Sequence, residues 1–199
     1  MKDLTKRVEN KFVFNPKDKY KIINNLLRKG FLEIYEERHI KSIYFDTRDL
    51  KTYLDSVEGN IPRKKIRIRS YDNFASDLNY EVKEVNEYGR FKYSEKILKL
   101  PTYLTDNIYK SIYPVVEVEY YRKYFSNNLI RLTLDFNIQY KSVSSKNKFK
   151  SFYLVLESKL PDKSTYNEKV NDFKLFGTSN ESFSKYKEAI NVAVLNSRK

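Results

Sequence analysis

Cysteine is absent from all 199 residues, which excludes disulfide bonds, thiol catalysis and cysteine-ligated metals. This absence fits a reducing compartment. No uninterrupted apolar run approaches the roughly 20 residues that a membrane-spanning helix needs, and charged residues begin near the N-terminus. We therefore expect a cytoplasmic protein without a membrane span. Histidine occurs once, at His39, outside any motif, and we assign it no role.

Glycine and proline are scarce, with 4 and 5 residues, and no Gly/Ser-rich linker or internal repeat divides the chain. Hydrophobic residues make up 40% of the sequence and charged residues 33%, which suits a protein with its own hydrophobic core. A chain of this length accommodates one large domain. We therefore predict a single domain over residues 1–199.

Acidic residues are too few to balance the basic ones. The chain has 39 Lys and Arg against 26 Asp and Glu, which gives a formal net charge of +13. A strong positive charge favours an anionic partner, such as a nucleic acid, a membrane headgroup or a ligand that carries several phosphates.

Period-two alternation of apolar and polar residues recurs along the chain and predicts strands. The predicted strands cover residues 7–14, 40–45, 64–71, 80–85, 90–93, 115–125, 130–136 and 152–160. Helical spacing follows Asn15-Pro16 as far as Gly30, and it returns after Asp46. We predict further helices over 102–111 and 184–196. This order of elements indicates an α+β fold dominated by an antiparallel sheet.

The polar faces of these predicted strands carry mainly cations. In the strand over 64–71, Lys65, Arg67 and Arg69 share one face, while Ile66 and Ile68 lie on the other. If helices cover the apolar face, the cations line the inside of a closed barrel, where they need anions and water. An open sheet with a basic, solvated face for RNA or DNA explains the alternation equally well.

Eight short motifs follow one another along the chain. They read RVENKF at 7–12, SIYFDT at 42–47, RIRSY at 67–71, EVK at 81–83, YYRKYF at 120–125, RLTLD at 131–135, LESKL at 156–160 and FSKY at 183–186. In this order they resemble the triphosphate tunnel metalloenzymes (the CYTH-like superfamily). The resemblance is greater to the VTC domain, the catalytic domain of the vacuolar transporter chaperone complex and its bacterial relatives.

The resemblance implies an eight-stranded antiparallel β-barrel tunnel with helices packed outside. In the VTC branch, the implied activity is that of a polyphosphate polymerase, which moves the terminal phosphoryl group of ATP onto a polyphosphate chain and releases ADP. The implied cofactor is Mn²⁺ or Mg²⁺, and the implied partners are ATP and inorganic polyphosphate, without a specific nucleic acid. Eukaryotic members carry phosphate-sensing and membrane domains, so we expect this chain to act alone or with a separately encoded partner protein.

The resemblance and the charged faces of the predicted strands together give the candidate site residues. The phosphate-binding catalytic positions are Lys11, Arg67, Arg69, Lys83, Arg122 and Lys185. Further phosphate contacts are Lys92, Tyr120, Arg131, Lys159 and Ser184. The metal ligands are Glu157 and Glu9. A structural ion pair between Arg131 and Asp135 is an equally good interpretation of those two positions, and Glu157 with Lys159 also fits a simple salt bridge.

Two positions depart from the family pattern. Arg7 stands where the hydrolase branches have a first metal-binding Glu, which argues against a two-metal triphosphatase. Ser182 stands where the VTC pattern favours Lys, which removes one phosphate contact. Two alternatives to the polymerase therefore stay open. One is a triphosphatase acting on tripolyphosphate, a nucleoside triphosphate or an RNA 5′-triphosphate, and the other is a non-catalytic module that binds polyphosphate or nucleic acid.

Overall fold

The computed structural model describes residues 8–72, 76–127, 130–160 and 183–196. The strands are β1 (Val8–Phe14), β2 (Leu32–Asp46), β3 (Arg63–Tyr71), β4 (Leu78–Asn86), β5 (Gly89–Ile97), β6 (Leu104–Asp106), β7 (Lys110–Ser126), β8 (Arg131–Ser142), β9 (Lys148–Lys150) and β10 (Leu154–Leu160). The helices are a 3₁₀ turn (Pro16–Asp18), α1 (Lys19–Arg28), α2 (Lys51–Glu58) and α3 (Lys185–Ile190), which continues as a π-helix over Asn191–Leu195. Arg7 and Ser182 lie outside the described residues.

The strands predicted from alternation are all present, and several extend further than the sequence indicates. The predicted helix over 102–111 is wrong, because this segment forms β6, a turn and the start of β7. Asp106 Oδ1 accepts hydrogen bonds from the backbone N–H groups of Ile108 (2.9 Å) and Tyr109 (3.0 Å), and Lys110 has a left-handed φ of 60°. An aspartate that closes a tight turn gives apolar residues a short-range spacing that resembles a helix.

The strands form one antiparallel path with the order β1-β10-β8-β7-β2-β3-β4-β5, to which β6 and β9 add as short outer pairs. Five strands separate β1 from β4 along this path, yet Glu9 Oε2 lies 4.0 Å from Lys83 Nζ. The sheet therefore curls so that this face points inward. The described strands form a curled half-barrel with β1 and β5 at its edges. The predicted α+β tunnel fold is confirmed.

The outer face of β1, β8 and β10 is covered by α1. Asn15 caps the preceding turn, since its side chain accepts a hydrogen bond from the backbone N–H of Lys17 at 3.0 Å. One turn apart on the buried side of α1, Ile22 and Leu26 pack against apolar strand residues that include Leu132. This packing leaves the opposite face of the same strands free to point inward.

The inner face carries the second helical element. On α3, Tyr186, Ala189 and Ile190 are buried in one cluster with Val116 and Val118 of β7. The helices were expected to pack outside the barrel. In the structure α1 lies outside, whereas α3 packs inside the curl, because the inner face of β7 is apolar at Val116 and Val118. Apolar packing fills the end of the inner face where α3 lies. No helix in the described part of the chain is both long and apolar enough to cross a membrane.

Candidate functional site

Alternation along β3 places three cations on the inner face of the curl. Lys65, Arg67 and Arg69 point inward, while Ile66 and Ile68 between them are completely buried on the outer side. Successive side chains of a strand point to opposite faces of the sheet. The three cations can therefore share the inner face while the two isoleucines pack in the apolar layer on the outer face. The predicted face of β3 therefore agrees with the structure.

Glu81 of β4 lies opposite Arg67 and binds several of these cations. Its carboxylate accepts from Arg67 Nε at 2.7 Å and pairs with Lys92 Nζ at 2.9 Å, and Arg69 lies 3.7 Å away. Burial opposes ionisation of Glu81, but the charges of Arg67, Arg69 and Lys92 hold its pKa well below the ordinary range. One ionised carboxylate is thus shared by three cations, and positive charge remains in excess.

Tyrosine hydroxyls take up further arginine donors. Arg67 donates to the Tyr44 hydroxyl and Arg69 to the Tyr120 hydroxyl, each at 3.0 Å, and Arg69 Nε donates to Ser42 Oγ at 3.2 Å. Burial would raise the pKa of Tyr44, but Arg67 and Arg69 shift it below the ordinary value. These neutral acceptors fix both guanidinium planes without cancelling their charge, which suits binding of an anion.

A second carboxylate, that of Asp135 on β8, is fully buried and binds two other cations that were candidate site residues in the sequence analysis. It forms a two-point ion pair with Arg122 at 2.5 and 2.7 Å, and Lys185 Nζ lies 2.5 Å from Asp135 Oδ2, which also accepts from Arg122. Burial would raise the pKa of Asp135, but Arg122 and Lys185 lower it well below the ordinary range. Asp135 therefore fixes the positions of the Arg122 and Lys185 side chains.

The alternative ion pair between Arg131 and Asp135 is wrong. These residues are four positions apart on β8, or about 13 Å along a strand, and the register places Arg122 opposite Asp135. Arg131 instead lies over the rings of Tyr35 (5.7 Å) and Tyr124 (5.8 Å) at the other end of the curl. Its charge faces the open part of the inner face.

Residues near the start of α3 contact a further set of lysines. Lys11 Nζ donates to the backbone carbonyl of Phe183 at 2.9 Å, and Lys65 Nζ donates to Ser184 Oγ at 3.2 Å. Burial, together with the charges of Lys11 and Lys187, lowers the pKa of Lys65 to about 7. Lys65 is absent from the residues assigned by family resemblance. Its place two residues before Arg67, on the same face, was the signal that could have identified it.

Glu9 and Glu157 lie on adjacent strands at the seam of the curl. Lys159 Nζ lies 3.7 Å from Glu9 and 3.5 Å from Glu157, so the predicted salt bridge between Glu157 and Lys159 is present. Burial would raise the pKa of Glu157, but Lys159 and other nearby cations, among them Arg122, lower it to about 2. Both side chains are available as oxygen ligands once Lys159 moves aside.

The described residues contain no cluster of three or more His, Asp or Glu side chains arranged to hold a metal ion. Two carboxylates nonetheless fit Mg²⁺ or Mn²⁺, because Mg²⁺ commonly keeps several waters and binds one or two carboxylates together with substrate phosphates. Glu9 and Glu157 therefore fit a metal that phosphate helps to hold. They do not fit a site built from protein ligands alone.

A cavity of about 300 Å³ opens on the inner face beyond the packing of α3. It is lined by Tyr35, Arg38, Arg69, Tyr71, Lys92, Arg122, Tyr124, Arg131, Thr133 and Lys159. The Thr133 hydroxyl is buried and has no hydrogen-bond partner within the described ranges, so it is free to contact a ligand. The sequence analysis did not include Thr133 among the site residues.

The structure brings the thirteen candidate site residues of the sequence analysis onto or beside one inner face. Seven strands supply eleven of them, and Lys185 lies on α3. Ser184 caps α3, with its Oγ accepting from the backbone N–H of Lys187 at 3.5 Å. Arg131 and Lys159 lie at the cavity, whereas Lys11 and Lys185 lie next to α3. The sequence therefore predicted the face, and the roles of the individual residues stay predictions.

Comparison with known proteins agrees with this arrangement. Residues 6–104 match the VTC domain family. A putative adenylate cyclase from Vibrio parahaemolyticus has a similar structure, with a TM-score of 0.57 at 16% identity, covering 94% of this chain and 98% of that one. A search of curated proteins found no match.

Two further structures share the fold. A protein from Pyrococcus horikoshii OT3 has a TM-score of 0.53 at 15% identity, covering 92% of this chain and 96% of that one. A putative adenylyl cyclase from Hippeastrum, with a dominant triphosphatase activity of its own, has a TM-score of 0.55 at 12% identity. The match covers 94% of this chain and 96% of that one. At such identities the likeness concerns the fold.

Proposed function

We propose that this chain, a triphosphate tunnel protein whose residues 6–104 match the VTC domain, is a metal-dependent polyphosphate polymerase. The reaction would move the terminal phosphoryl group of ATP onto the end of a polyphosphate chain. The observation that carries the proposal is the inner face, where buried, oriented cations outnumber their carboxylate partners. Such a face favours binding of an anion that carries several charges.

The described geometry supports a role in binding the phosphates of ATP. Arg67 and Arg69 are held rigidly by Glu81 and two tyrosine hydroxyls, and their remaining donors can reach phosphate oxygens. Arg122 and Lys185 are held in the same way by Asp135. Fixed cations bind the transferring group without a cost for reorganising during the reaction.

Phosphoryl transfer needs alignment of the reacting groups and neutralisation of charge more than covalent help from the protein. An oxygen of the acceptor phosphate would attack the terminal phosphorus. The bond from that phosphorus to the bridging oxygen breaks, and ADP leaves with the electron pair. The cations of β3, β7 and α3 would hold the donor and acceptor in line.

Glu157 and Glu9 are the proposed ligands of Mn²⁺ or Mg²⁺. Bound there with the phosphates, the ion would neutralise charge on the transferring group. Lys159, which contacts both carboxylates in the structure, would then be released to contact a phosphate.

A triphosphatase is the second candidate, and the position of α3 favours it. Apolar packing of α3 fills one end of the inner face. A short triphosphate fits a site with one open end, whereas a growing polyphosphate chain must leave through the same end by which ATP enters. The triphosphatase activity of the Hippeastrum protein, which has the same fold, is consistent with this alternative.

One assay separates the candidates. Purified protein is incubated with ATP and Mn²⁺, while ADP, orthophosphate and chain length on a polyphosphate gel are followed. We expect ADP and a ladder of chains. Orthophosphate without chains would assign a triphosphatase, and the absence of all products would leave a binding module.

Two variants test whether the inner face is the site. We expect Arg67→Ala to reduce product formation at least 100-fold, because Arg67 is buried in the cation cluster. Lys21→Ala, which removes an exposed charge from the outer helix α1, should act as wild type. Thermal unfolding establishes that both variants are folded. Near-normal turnover by Arg67→Ala would contradict the assignment.

A further inference from the structure

Outside the cation cluster, Asp46 and Tyr186 form a buried polar group with Thr52. Asp46 and Thr52 are completely buried and Tyr186 is 2% exposed. The Asp46 carboxylate accepts hydrogen bonds from the backbone N–H groups of Thr47 (2.7 Å), Thr52 (2.8 Å) and Tyr53 (3.0 Å). It therefore ties the end of β2 to the first turn of α2, where Thr47 Oγ1 also accepts from the backbone N–H of Lys51 at 2.8 Å.

Tyr186 joins α3 to this group. Its hydroxyl donates to Asp46 Oδ2, and because a hydroxyl carries one proton, Thr52 Oγ1 donates to the Tyr186 oxygen at 2.9 Å. A buried carboxylate depends on each of its donors, since an unsatisfied lone pair costs free energy in a dry environment. The hydroxyl of Tyr186 thus fixes α3 against both β2 and α2.

The same side chain reaches toward the cations. The Tyr186 ring stacks on Tyr44 with centroids 4.9 Å apart and planes inclined by 21°, and the Tyr44 hydroxyl accepts from Arg67 at 3.0 Å. The SIYFDT and FSKY motifs of the sequence therefore meet at this contact. Neither tyrosine was assigned a role by the family resemblance.

The two residues before Tyr186 contact residues of the cation cluster. Ser184 Oγ accepts from Lys65 at 3.2 Å, and Lys185 Nζ lies 2.5 Å from Asp135. A shift of α3 by a fraction of its pitch would break both contacts, because charge-assisted hydrogen bonds need close distances. The start of α3 must therefore be placed accurately, and Tyr186 anchors its first turn to Asp46.

We infer that Tyr186 is a positioning residue, whose hydroxyl bond to Asp46 fixes the start of α3 so that Lys185 faces bound phosphate. The inference rests on the proposed function in that Lys185 is taken to contact phosphate. Tyr186 itself does not touch the phosphates, and its influence on them passes through Lys185.

A double-mutant cycle tests this inference, with isothermal titration of inorganic tripolyphosphate as the readout. We expect Tyr186→Phe to weaken binding by 5-fold to 10-fold and Lys185→Ala by at least 10-fold. In the Lys185→Ala background, Tyr186→Phe should add less than a 2-fold loss, because the two residues act as a unit. Tyr53→Phe is the matched control. It removes a hydroxyl that binds Asn191 near the same helix, and binding should stay within 2-fold of wild type.

Two results would overturn the inference: unchanged binding in Tyr186→Phe, or the same loss in both backgrounds. If tripolyphosphate does not bind the wild type, the proposed function fails, and acetylation of Lys185 in the ligand-free protein still tests the positioning role. We expect Tyr186→Phe to speed acetylation of Lys185 several-fold and to leave that of exposed Lys21 unchanged. Equal rates of Lys185 acetylation in Tyr186→Phe and in the wild type would contradict the positioning role.

Should Tyr186→Phe fail to fold, Thr52→Val provides a milder test. This change removes the donor to the Tyr186 oxygen but keeps the bond from Tyr186 to Asp46. We expect a 2-fold to 5-fold weaker affinity for tripolyphosphate and faster acetylation of Lys185. Wild-type values for both would count against the positioning role.

Discussion

At the scale of single residues, the inner face shows how neighbours decide what a charged group does. Lys65 and Arg67 are two positions apart on β3 and point the same way. Arg67 pairs with Glu81, whereas Lys65 lies among other lysines and donates to Ser184. Burial and the nearby positive charges therefore lower the pKa of Lys65 to about 7, and Lys65 is partly neutral near neutral pH.

This shift predicts that phosphate binding is coupled to proton uptake. A bound anion favours charged Lys65 and raises its pKa, so affinity for tripolyphosphate should fall as pH rises above about 7. The limit for one linked proton is about tenfold per pH unit. Titration calorimetry between pH 7 and 8.5 measures the slope.

Lys65→Arg is the control for this prediction. The guanidinium stays protonated over the range, while the ligand titrates as before. Its affinity should therefore fall less steeply with pH than that of the wild type. Identical slopes in the two proteins would show that Lys65 does not titrate on binding.

At the scale of elements, α1 and α3 each bury one side against the sheet, but they lie on opposite faces of it. The apolar side of α1 packs on the outer face of β1, β8 and β10, and that of α3 on the inner face of β7. The first arrangement stabilises the sheet without touching the site. The second places Ser184 and Lys185 among the cations.

A mutation in the buried side of α1 should therefore lower stability without changing activity. We expect Leu26→Ala to lower the free energy of unfolding by about 2–5 kcal/mol, because Leu26 is completely buried in the outer cluster. Its exposed neighbour gives the control, and Leu27→Ala should change the free energy of unfolding by less than about 0.5 kcal/mol. Urea unfolding measures both values.

Product formation by Leu26→Ala, measured well below its unfolding temperature, should match that of the wild type. A large loss of turnover in the folded variant would mean that α1 supports the inner face as well as the outer one.

These elements also mark how far the sequence could predict the fold. Alternation identified the strands and the face of β3, since period two is a local property. The helix over 102–111 was wrong because Asp106 closes a turn whose pairing depends on β7. Likewise, Arg122 rather than Arg131 pairs with Asp135, because register across strands decides the partner.

At the scale of the whole molecule, three buried carboxylates pair with some of the many cations of this basic chain. Glu81, Asp135 and Glu157 all have pKa values lowered by the cations around them, which outweigh the opposing effect of burial. Each contributes stability that is present above its unfolded pKa and lost as pH falls toward its folded pKa. The folded protein should therefore lose stability in mild acid.

Glu157 gives a specific form of this prediction. Its pKa falls from 4.5 to about 2 on folding, so its contribution decreases as pH drops below about 5. Between pH 5 and 3.5, Glu157→Gln should lose about 1 kcal/mol less unfolding free energy than the wild type. Urea unfolding at several pH values measures this.

Glu58→Gln, at an exposed position on α2, should follow the wild-type curve in the same experiment. A parallel pH dependence in Glu157→Gln and the wild type would show that Glu157 has an ordinary pKa in the folded protein.

The sequence by itself determined the class of fold, the cationic face and the resemblance to the VTC domain. These features depend on residue type and on spacing along one strand, which are local. Only the tertiary structure decided that α3 packs inside the curl, that Asp135 holds Arg122 and Lys185, and that Lys65 titrates near neutral pH. Each of these depends on which strands and helices meet across the sheet, and electrostatic and packing free energies are set by those neighbours in space.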